Sequence, residues 1–211
     1  VESRGLGDVY KRQDLLSPIY VTLQDDSLSF HCFVRFMDRM ERNFLSDQSG
    51  MRDQMNTLNE LVQFMLPELY IHLEKCDSNN LFFFFRMLLV WFKREFIWDD
   101  VLRLWEILWT DYYSSQFHLF FALAILQKNE KIIINHLRQF DEVLKYINDL
   151  SMTYKLNDLL TRSELLFLKF RKMVEIIDRS SEPSDAKSPI NDNLRLLLSK
   201  ELVIQKETTR V

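Results

Sequence analysis

The chain contains only three glycines and four prolines in 211 residues, and this shortage restricts its fold more than any other feature. An average chain of this length would carry roughly fifteen glycines and ten prolines. Sheets joined by tight hairpins depend on glycine at turn positions where φ is positive. Because the chain is so poor in these residues, we expect an all-α fold.

Residues 81–109 supply the centre of the expected core. Ten of these twenty-nine residues are aromatic. The longest apolar run, 81–91, is interrupted by Arg86 and is far shorter than the ~20 residues of a membrane-spanning helix. Apolar residues occupy most of the circumference of 81–92, so we expect one helix there that is buried on nearly all sides. A second helix is expected to restart at Trp98.

Apolar residues at steps of three and four predict further amphipathic helices. One stripe runs from Phe30 to Phe44, after polar residues at 25–27 that are suited to an N-cap. Another stripe runs from Met51 to Met65, and Pro67 is placed to start the following helix. Later helices are predicted over 117–126, 129–140, 141–150 and 156–174.

The two ends of the chain differ in composition from its middle. Residues 1–13 hold two of the three glycines, and the run DVYKRQ at 8–13 resembles the translated end of a transposon used in preparing sequencing libraries. We interpret 1–13 as a non-native, library-derived segment, with a natural flexible arm as the alternative. Residues 14–179 form the expected domain. Residues 180–211 are predicted to be a linker with a short amphipathic helix over 194–204.

Charge and motif spacing argue against several function classes. The formal net charge of −4, with both signs interspersed, argues against a nucleic-acid-binding face. The sequence has no glycine-rich phosphate loop, and its histidines lack metal-binding spacing. We therefore predict no metal and no cofactor. Cys32 and Cys76 are interpreted as buried, reduced thiols.

Arg86 lies inside the run FFFFRMLL, where an unpaired charge would be costly. Three explanations are open at this point. The guanidinium pairs with an acid such as Glu95 or Asp14, reaches the surface along its aliphatic stem, or faces a partner.

Several separated stretches resemble, in the right order, the TBC domain of Rab GTPase-activating proteins. They are 14–18 (DLLSP), 33–37 (FVRFM), 85–86 (FR), 91–96 (WFKREF) and 102–105 (LRLW). The sequences of 37–50 and 112–128 are similar to those of the fungal-type Rab-GAP branch that acts in endosome-to-vacuole traffic. The resemblance covers about 14–179 and implies a V-shaped helical domain, of which this chain would be the C-terminal two-thirds. His31 and Met87 stand where the family often has tryptophan.

The resemblance implies a GTPase activator that is not itself an enzyme, because catalysis belongs to the partner Rab. Family members insert an arginine from an IxxDxxR motif, which neutralises charge on the γ-phosphate, and a glutamine from a YxQ motif, which orients the attacking water. An arginine finger given in trans is worth roughly 10³–10⁵ in rate in related GTPases. Both motifs are expected upstream of Asp14. IxxDxxR is absent from this sequence, and Tyr10 and Gln13 have the spacing YKRQ, so we assign no catalytic residue and predict that the chain alone is inactive.

What carries over from the family is the supporting part of the Rab-binding groove. These residues are Asp14 from the second motif and Arg86, Trp91, Arg94, Glu95 and Phe96 from the third. The implied partner is a GTP-bound Rab, to which GTP and Mg²⁺ belong; neither nucleic acid nor a transmembrane segment is expected. The implied location is cytoplasmic and peripheral to endomembranes, in vesicle-mediated intracellular protein transport. The alternative function is a non-catalytic helical scaffold that binds a Rab or an adaptor.

Overall fold

The computed structural model describes the backbone of residues 2–180 and 190–201, and the side chains of these ranges from Arg12 onward. This described part contains ten α-helices and no β-strand, which confirms the all-α prediction. The helices are α1 (Glu2–Leu23), α2 (Asp26–Met40), α3 (Ser49–Met65), α4 (Pro67–Lys75), α5 (Phe85–Leu89), α6 (Trp98–Trp109), α7 (Phe117–His136), α8 (Phe140–Asp149), α9 (Leu156–Ser180) and α10 (Asp192–Leu196). Two 3-10 turns, Glu41–Phe44 and Phe82–Phe84, complete the regular structure of these residues.

The core is built around α7, whose first ten residues are all buried. Phe120 of α7 lies 5.1 Å from the Phe167 ring and 5.5 Å from the Phe170 ring, both on α9. The buried helix predicted over 117–126 is confirmed, but the separate helix predicted over 129–140 is wrong because α7 continues unbroken to His136. Asn129 is accommodated in the buried helix because its amide group donates to the Ile125 carbonyl (2.8 Å).

The single helix predicted over 81–92 is also wrong. α5 lasts only from Phe85 to Leu89, after a 3-10 turn that starts beyond a left-handed Leu81 (φ 53°). The chain then turns through Trp91 and Phe92, which are left-handed too, at φ 48° and 58°. That conformation costs about 1–2 kcal/mol per residue, and the burial of both rings offsets it. The helix predicted to restart at Trp98 is confirmed as α6.

The apolar stripe predicted from Phe30 to Phe44 is only partly correct. The N-cap is confirmed at Asp25, whose carboxylate accepts from the Leu28 amide at 2.7 Å. However, Phe30 is 63% exposed, and Phe36 takes the central buried position of α2. The Phe36 ring lies 5.3–5.4 Å from the rings of three tryptophans, Trp91, Trp105 and Trp109. The buried thiol predicted for Cys32, on the same helix, is wrong because Cys32 is exposed, whereas Cys76 is buried as expected.

The helices predicted for the Met51 stripe and after Pro67 are confirmed as α3 and α4, with Pro67 in the first turn of α4. Gly50, in the first turn of α3, lies directly against the backbone of the preceding 3-10 turn. A Cβ atom at position 50 would stand 2.5 Å from the carbonyl carbon of Arg42. The close approach of the two backbones therefore requires glycine here.

At the two ends, the helices extend beyond the regions in which a helical stripe was predicted. α1 begins at Glu2 and includes residues 2–13. α9 continues to Ser180, and 181–189 lie outside the described residues. The chain then packs back on the core through buried side chains, those of Ile190, Leu194 and Leu197. The helix predicted over 194–204 is wrong in its extent, because α10 spans Asp192–Leu196 and residues 197–201 are not helical; 202–204 lie outside the described residues.

Candidate functional site

The residues predicted to support a partner-binding groove converge on the loop that joins α5 to α6, residues 90–97, which we call the motif loop. Its conformation is fixed by buried hydrogen bonds. The Phe92 amide donates to the Met87 carbonyl at 2.7 Å, and the Trp105 indole N–H donates to the Trp91 carbonyl at 2.9 Å. Left-handed, non-glycine backbone held by its surroundings is common at functional sites, so the loop is a candidate by its geometry as well as by its motif.

Asp14 ties the motif loop to α1. One oxygen of its carboxylate lies 3.1 Å from the Lys93 ammonium, and the other lies 2.6 Å from the terminal nitrogen of the Arg94 guanidinium. The Nε atom of Arg94 donates to this second oxygen as well, at 2.8 Å. Asp14 is mostly buried whereas Arg94 is about half exposed. A single carboxylate thus holds two consecutive cations of the motif loop against α1, about 80 residues away in sequence.

Arg86 pairs with Glu95, which decides among the three explanations that the sequence left open. The Arg86 guanidinium donates to Glu95 Oε1 at 3.0 Å. The Glu95 carboxylate is fully buried, whereas 44% of the Arg86 side chain remains accessible. Glu95 Oε2 is buried without a hydrogen-bond partner among the described residues. Arg86 therefore neutralises the buried Glu95 carboxylate while part of its guanidinium side chain remains on the surface.

Trp91 and Phe96, the two aromatic motif residues, anchor the motif loop in the core. The Trp91 ring packs edge-on against Trp105, with ring centroids 6.3 Å apart, and the Arg39 guanidinium lies 5.1 Å above the same ring. The Phe96 ring lies 5.8 Å from Phe121 of α7. All six predicted support residues are therefore brought to one loop and its immediate surroundings. Their role in binding a partner stays a prediction.

A polar network beside Trp91, which includes Arg39, was not predicted from the sequence. Arg39 forms an ion pair with Asp111 and donates to the Ser115 carbonyl at 3.0 Å. The Nε2 atom of His118 forms a hydrogen bond with Gln54 Oε1 at 2.8 Å. Burial, assisted by the charge of Arg39, lowers the pKa of His118 to about 3. Since the partners of Arg39 and His118 lie 64–76 residues away in sequence, no local pattern could have identified them.

An apolar groove of about 630 Å³ opens between α1, α2 and α6. Its walls include Pro18 and Ile19 of α1, Phe36 of α2, and Trp105 and Trp109 of α6. This volume is within the range of ~300–1,000 Å³ that is usual for ligand pockets. The groove is a surface at which an apolar side chain of another protein would be shielded from water.

The described residues contain neither a metal-ligand cluster nor a membrane-spanning helix. Within these ranges, no three His, Cys, Asp or Glu side chains are grouped so that they could hold a metal ion. Among the helices that the structure describes, none combines the length and apolar character required to cross a bilayer.

Comparison with known proteins identifies the family. The model of the Rab-GTPase-TBC domain matches residues 12–134, and the chain belongs to this family. "GTPase-activating protein GYP7" of Debaryomyces hansenii is 65% identical over 217 residues, which cover 97% of this chain and 29% of the relative. The protein of the same name in Saccharomyces cerevisiae is 54% identical over 219 residues, which cover 100% of this chain and 29% of that relative. "TBC1 domain family member 17" of Homo sapiens is 42% identical over 161 residues, which cover 76% of this chain and 25% of that relative.

These relatives confirm the resemblance to the fungal-type branch of Rab GTPase-activating proteins. The chain spans less than a third of the length of each of these three relatives. The match to the family model contains the motif loop, α1 from Arg12 onward and most of α7. α8, α9 and α10 lie beyond it.

Proposed function

We propose that the protein to which this chain belongs activates GTP hydrolysis by a Rab GTPase, and that this chain supplies the supporting part of the Rab-binding groove. The observation that carries the proposal is the convergence of Asp14, Arg86, Arg94 and Glu95 on one strained, well-packed loop. Two guanidinium groups remain about half exposed there, on the outer side of their carboxylate partners. Such groups are suited to contact a partner that carries negative charge.

In this proposal the catalytic groups are not part of the chain. Activation requires an arginine that stabilises charge on the transferred phosphoryl group and a residue that orients the attacking water. The motif loop instead fixes the shape of the groove. The chemistry, GTP and Mg²⁺ belong to the Rab, so the activator is a regulator and has no cofactor of its own. We place this activity in the cytoplasm, at the periphery of endomembranes, in vesicle traffic.

Single-turnover GTP hydrolysis tests the proposal directly. The chain, at saturating concentration, is mixed with each member of a panel of GTP-loaded Rab proteins. We expect at least one Rab to bind and no hydrolysis rate to rise. Acceleration by the chain alone would show that catalytic groups are present in it.

A chimera separates the activator from the scaffold. An upstream TBC segment that carries IxxDxxR and YxQ is joined to residues 14–211. If the protein to which this chain belongs is an activator, the chimera should accelerate GTP hydrolysis by a bound Rab. Replacing the arginine of IxxDxxR with alanine should then abolish the acceleration. A folded chimera that binds the Rab without accelerating hydrolysis would favour the scaffold.

The scaffold is the second candidate, and the apolar groove between α1, α2 and α6 is the observation that favours it. A groove of this kind fits the apolar face of an amphipathic helix from a Rab or an adaptor. Substituting Trp109, which is partly exposed at the groove, with glutamate should then abolish binding of the partner. In the activator, by contrast, the charge reversal Arg94→Glu should weaken Rab binding most.

A further inference from the structure

The turn between α8 and α9, residues 150–155, contacts three consecutive residues of the motif loop. The Ser151 hydroxyl donates to the Arg94 carbonyl at 3.0 Å. The Met152 amide donates to the Glu95 carbonyl at 2.9 Å. The Tyr154 ring lies 5.7 Å from the ring of Phe96, the next residue along. The motif loop is therefore held on this side by a segment more than 50 residues away in sequence.

The motif loop requires such support because its own conformation is costly. Trp91 and Phe92 are both left-handed, and neither is glycine. Backbone hydrogen bonds inside the loop reach only as far as the Glu95 amide, which donates to the Phe92 carbonyl at 3.0 Å. The carbonyl groups of Arg94 and Glu95 point away from the loop and accept their hydrogen bonds from the turn. Without the turn these groups would have to find water or other donors.

The turn is itself shaped for this contact. Met152 has φ 63°, in the region that favours glycine, and its side chain is 57% exposed. Packing of the side chain therefore does not explain the conformation. The left-handed backbone of Met152 instead directs its amide group toward the Glu95 carbonyl.

Tyr154 brings a buried polar group to the same side of the motif loop, beside Phe96. Its side chain is nearly fully buried, and its hydroxyl, like Glu95 Oε2, has no hydrogen-bond partner among the described residues. Burial raises the pKa of Tyr154, and the negative charge of Glu95 raises it further. The turn thus holds the motif loop by two hydrogen bonds to its backbone and by a buried aromatic contact with Phe96.

We propose that the turn at 151–154, which lies outside the segment matched by the family model, is a positioning element for the Rab-binding surface. It holds the backbone of Arg94, Glu95 and Phe96, and through Glu95 it orients the half-exposed guanidinium of Arg86. The proposal rests on the proposed function, since the surface that it positions is the one assigned to the Rab. The part of the domain required for binding therefore extends beyond residue 134.

The test uses the full chain and the double variant Ser151→Ala/Tyr154→Leu, which removes the hydroxyl donor and the aromatic contact together. Thr153→Ala is the matched control, because the Thr153 hydroxyl bonds the Leu150 carbonyl (2.7 Å) inside the same turn and does not reach the motif loop. Tyr154→Phe is the conservative variant, which keeps the ring and removes only the unpartnered hydroxyl.

Two readouts are taken at a temperature where every variant is fully folded. Amide hydrogen exchange is measured over 93–97, and affinity is measured for a Rab loaded with a non-hydrolysable GTP analogue. We expect the double variant to exchange about tenfold faster over 93–97 and to bind the Rab about tenfold more weakly, as the loss of one hydrogen bond and one ring contact implies. Exchange in α4, which is remote from the turn in sequence, should not change. Thr153→Ala and Tyr154→Phe should behave as the unmodified chain.

The outcomes distinguish the positioning role from the proposed function. Unchanged exchange over 93–97, or faster exchange with undiminished Rab affinity, would overturn the positioning role and leave Rab binding intact. If the unmodified chain binds no Rab, the proposed function fails, and with it the role of the turn in binding. Exchange would in that case show whether the turn still acts as a purely structural support.

Discussion

Replacing Arg86 with methionine should destabilise the domain far more than an ordinary surface substitution. The Glu95 carboxylate is fully buried, and among the residues that the structure describes only one of its oxygens has a partner, which is Arg86. Without the guanidinium, the structure retains a buried charge that nothing neutralises. Breaking a buried pair in this way costs about 3–5 kcal/mol, whereas exposed pairs contribute roughly 0–1 kcal/mol. Because Arg86 is itself partly exposed, we expect a loss at the lower end, about 3 kcal/mol.

A matched control is available in the same loop. Arg94 is as exposed as Arg86 and is also paired with a carboxylate, Asp14. Asp14, however, keeps Lys93 as a second cation when Arg94 is removed. Arg94→Met should therefore cost only about 1 kcal/mol.

Urea unfolding at pH 7, followed by tryptophan fluorescence, measures both variants. For a domain of this size, a loss of 3 kcal/mol lowers the melting temperature by roughly 6–12 °C. The combination Arg86→Met/Glu95→Gln should recover part of the stability, because the neutral amide no longer leaves a charge buried. If Arg86→Met costs no more than Arg94→Met, or if the double variant is as unstable as the sum of its single changes, the burial of Glu95 does not control this energy.

Three further predictions address the core. Gly50→Ala should destabilise the chain by about 1–3 kcal/mol, because its Cβ would stand 2.5 Å from the Arg42 backbone, and an unchanged melting temperature would contradict this close approach. Trp105→Phe should cost about 1–3 kcal/mol in urea unfolding, since it leaves the buried Trp91 carbonyl without its donor; a loss below about 0.5 kcal/mol would refute that reasoning. The pKa of His118 is lowered from 6.5 to about 3, so between these pH values the imidazole is protonated in the unfolded chain and neutral in the folded chain. Its stabilising contribution is therefore complete above pH 6.5 and declines by up to about 1.4 kcal/mol per pH unit as pH falls toward 3. Unfolding measured between pH 5 and 7.5 should show a shallower slope for His118→Gln, and equal slopes would exclude His118 as the cause.

Local signals were sufficient where a helix is decided by its own residues. The carboxylate of Asp25 caps α2, and Pro67 begins α4, both as their positions in the sequence indicate. The same signals failed where distant contacts compete. The apolar run at 81–92 has a helical composition, yet the chain turns at Trp91 and Phe92 because their rings fit among α2, α6 and α7.

The sequence by itself determined the helical class and the family, and it named the six residues that the structure brings to the motif loop and its surroundings. Those follow from helical periodicity, glycine content and the order of short motifs, all of which can be read along the chain without knowing which distant residues are in contact. Only the tertiary structure decided that Glu95, rather than Asp14, neutralises Arg86, and that Ser151 and Met152 hold the motif loop. An ion pair or a hydrogen bond depends on distances of about 3 Å, and such distances between remote residues are set by packing rather than by local pattern.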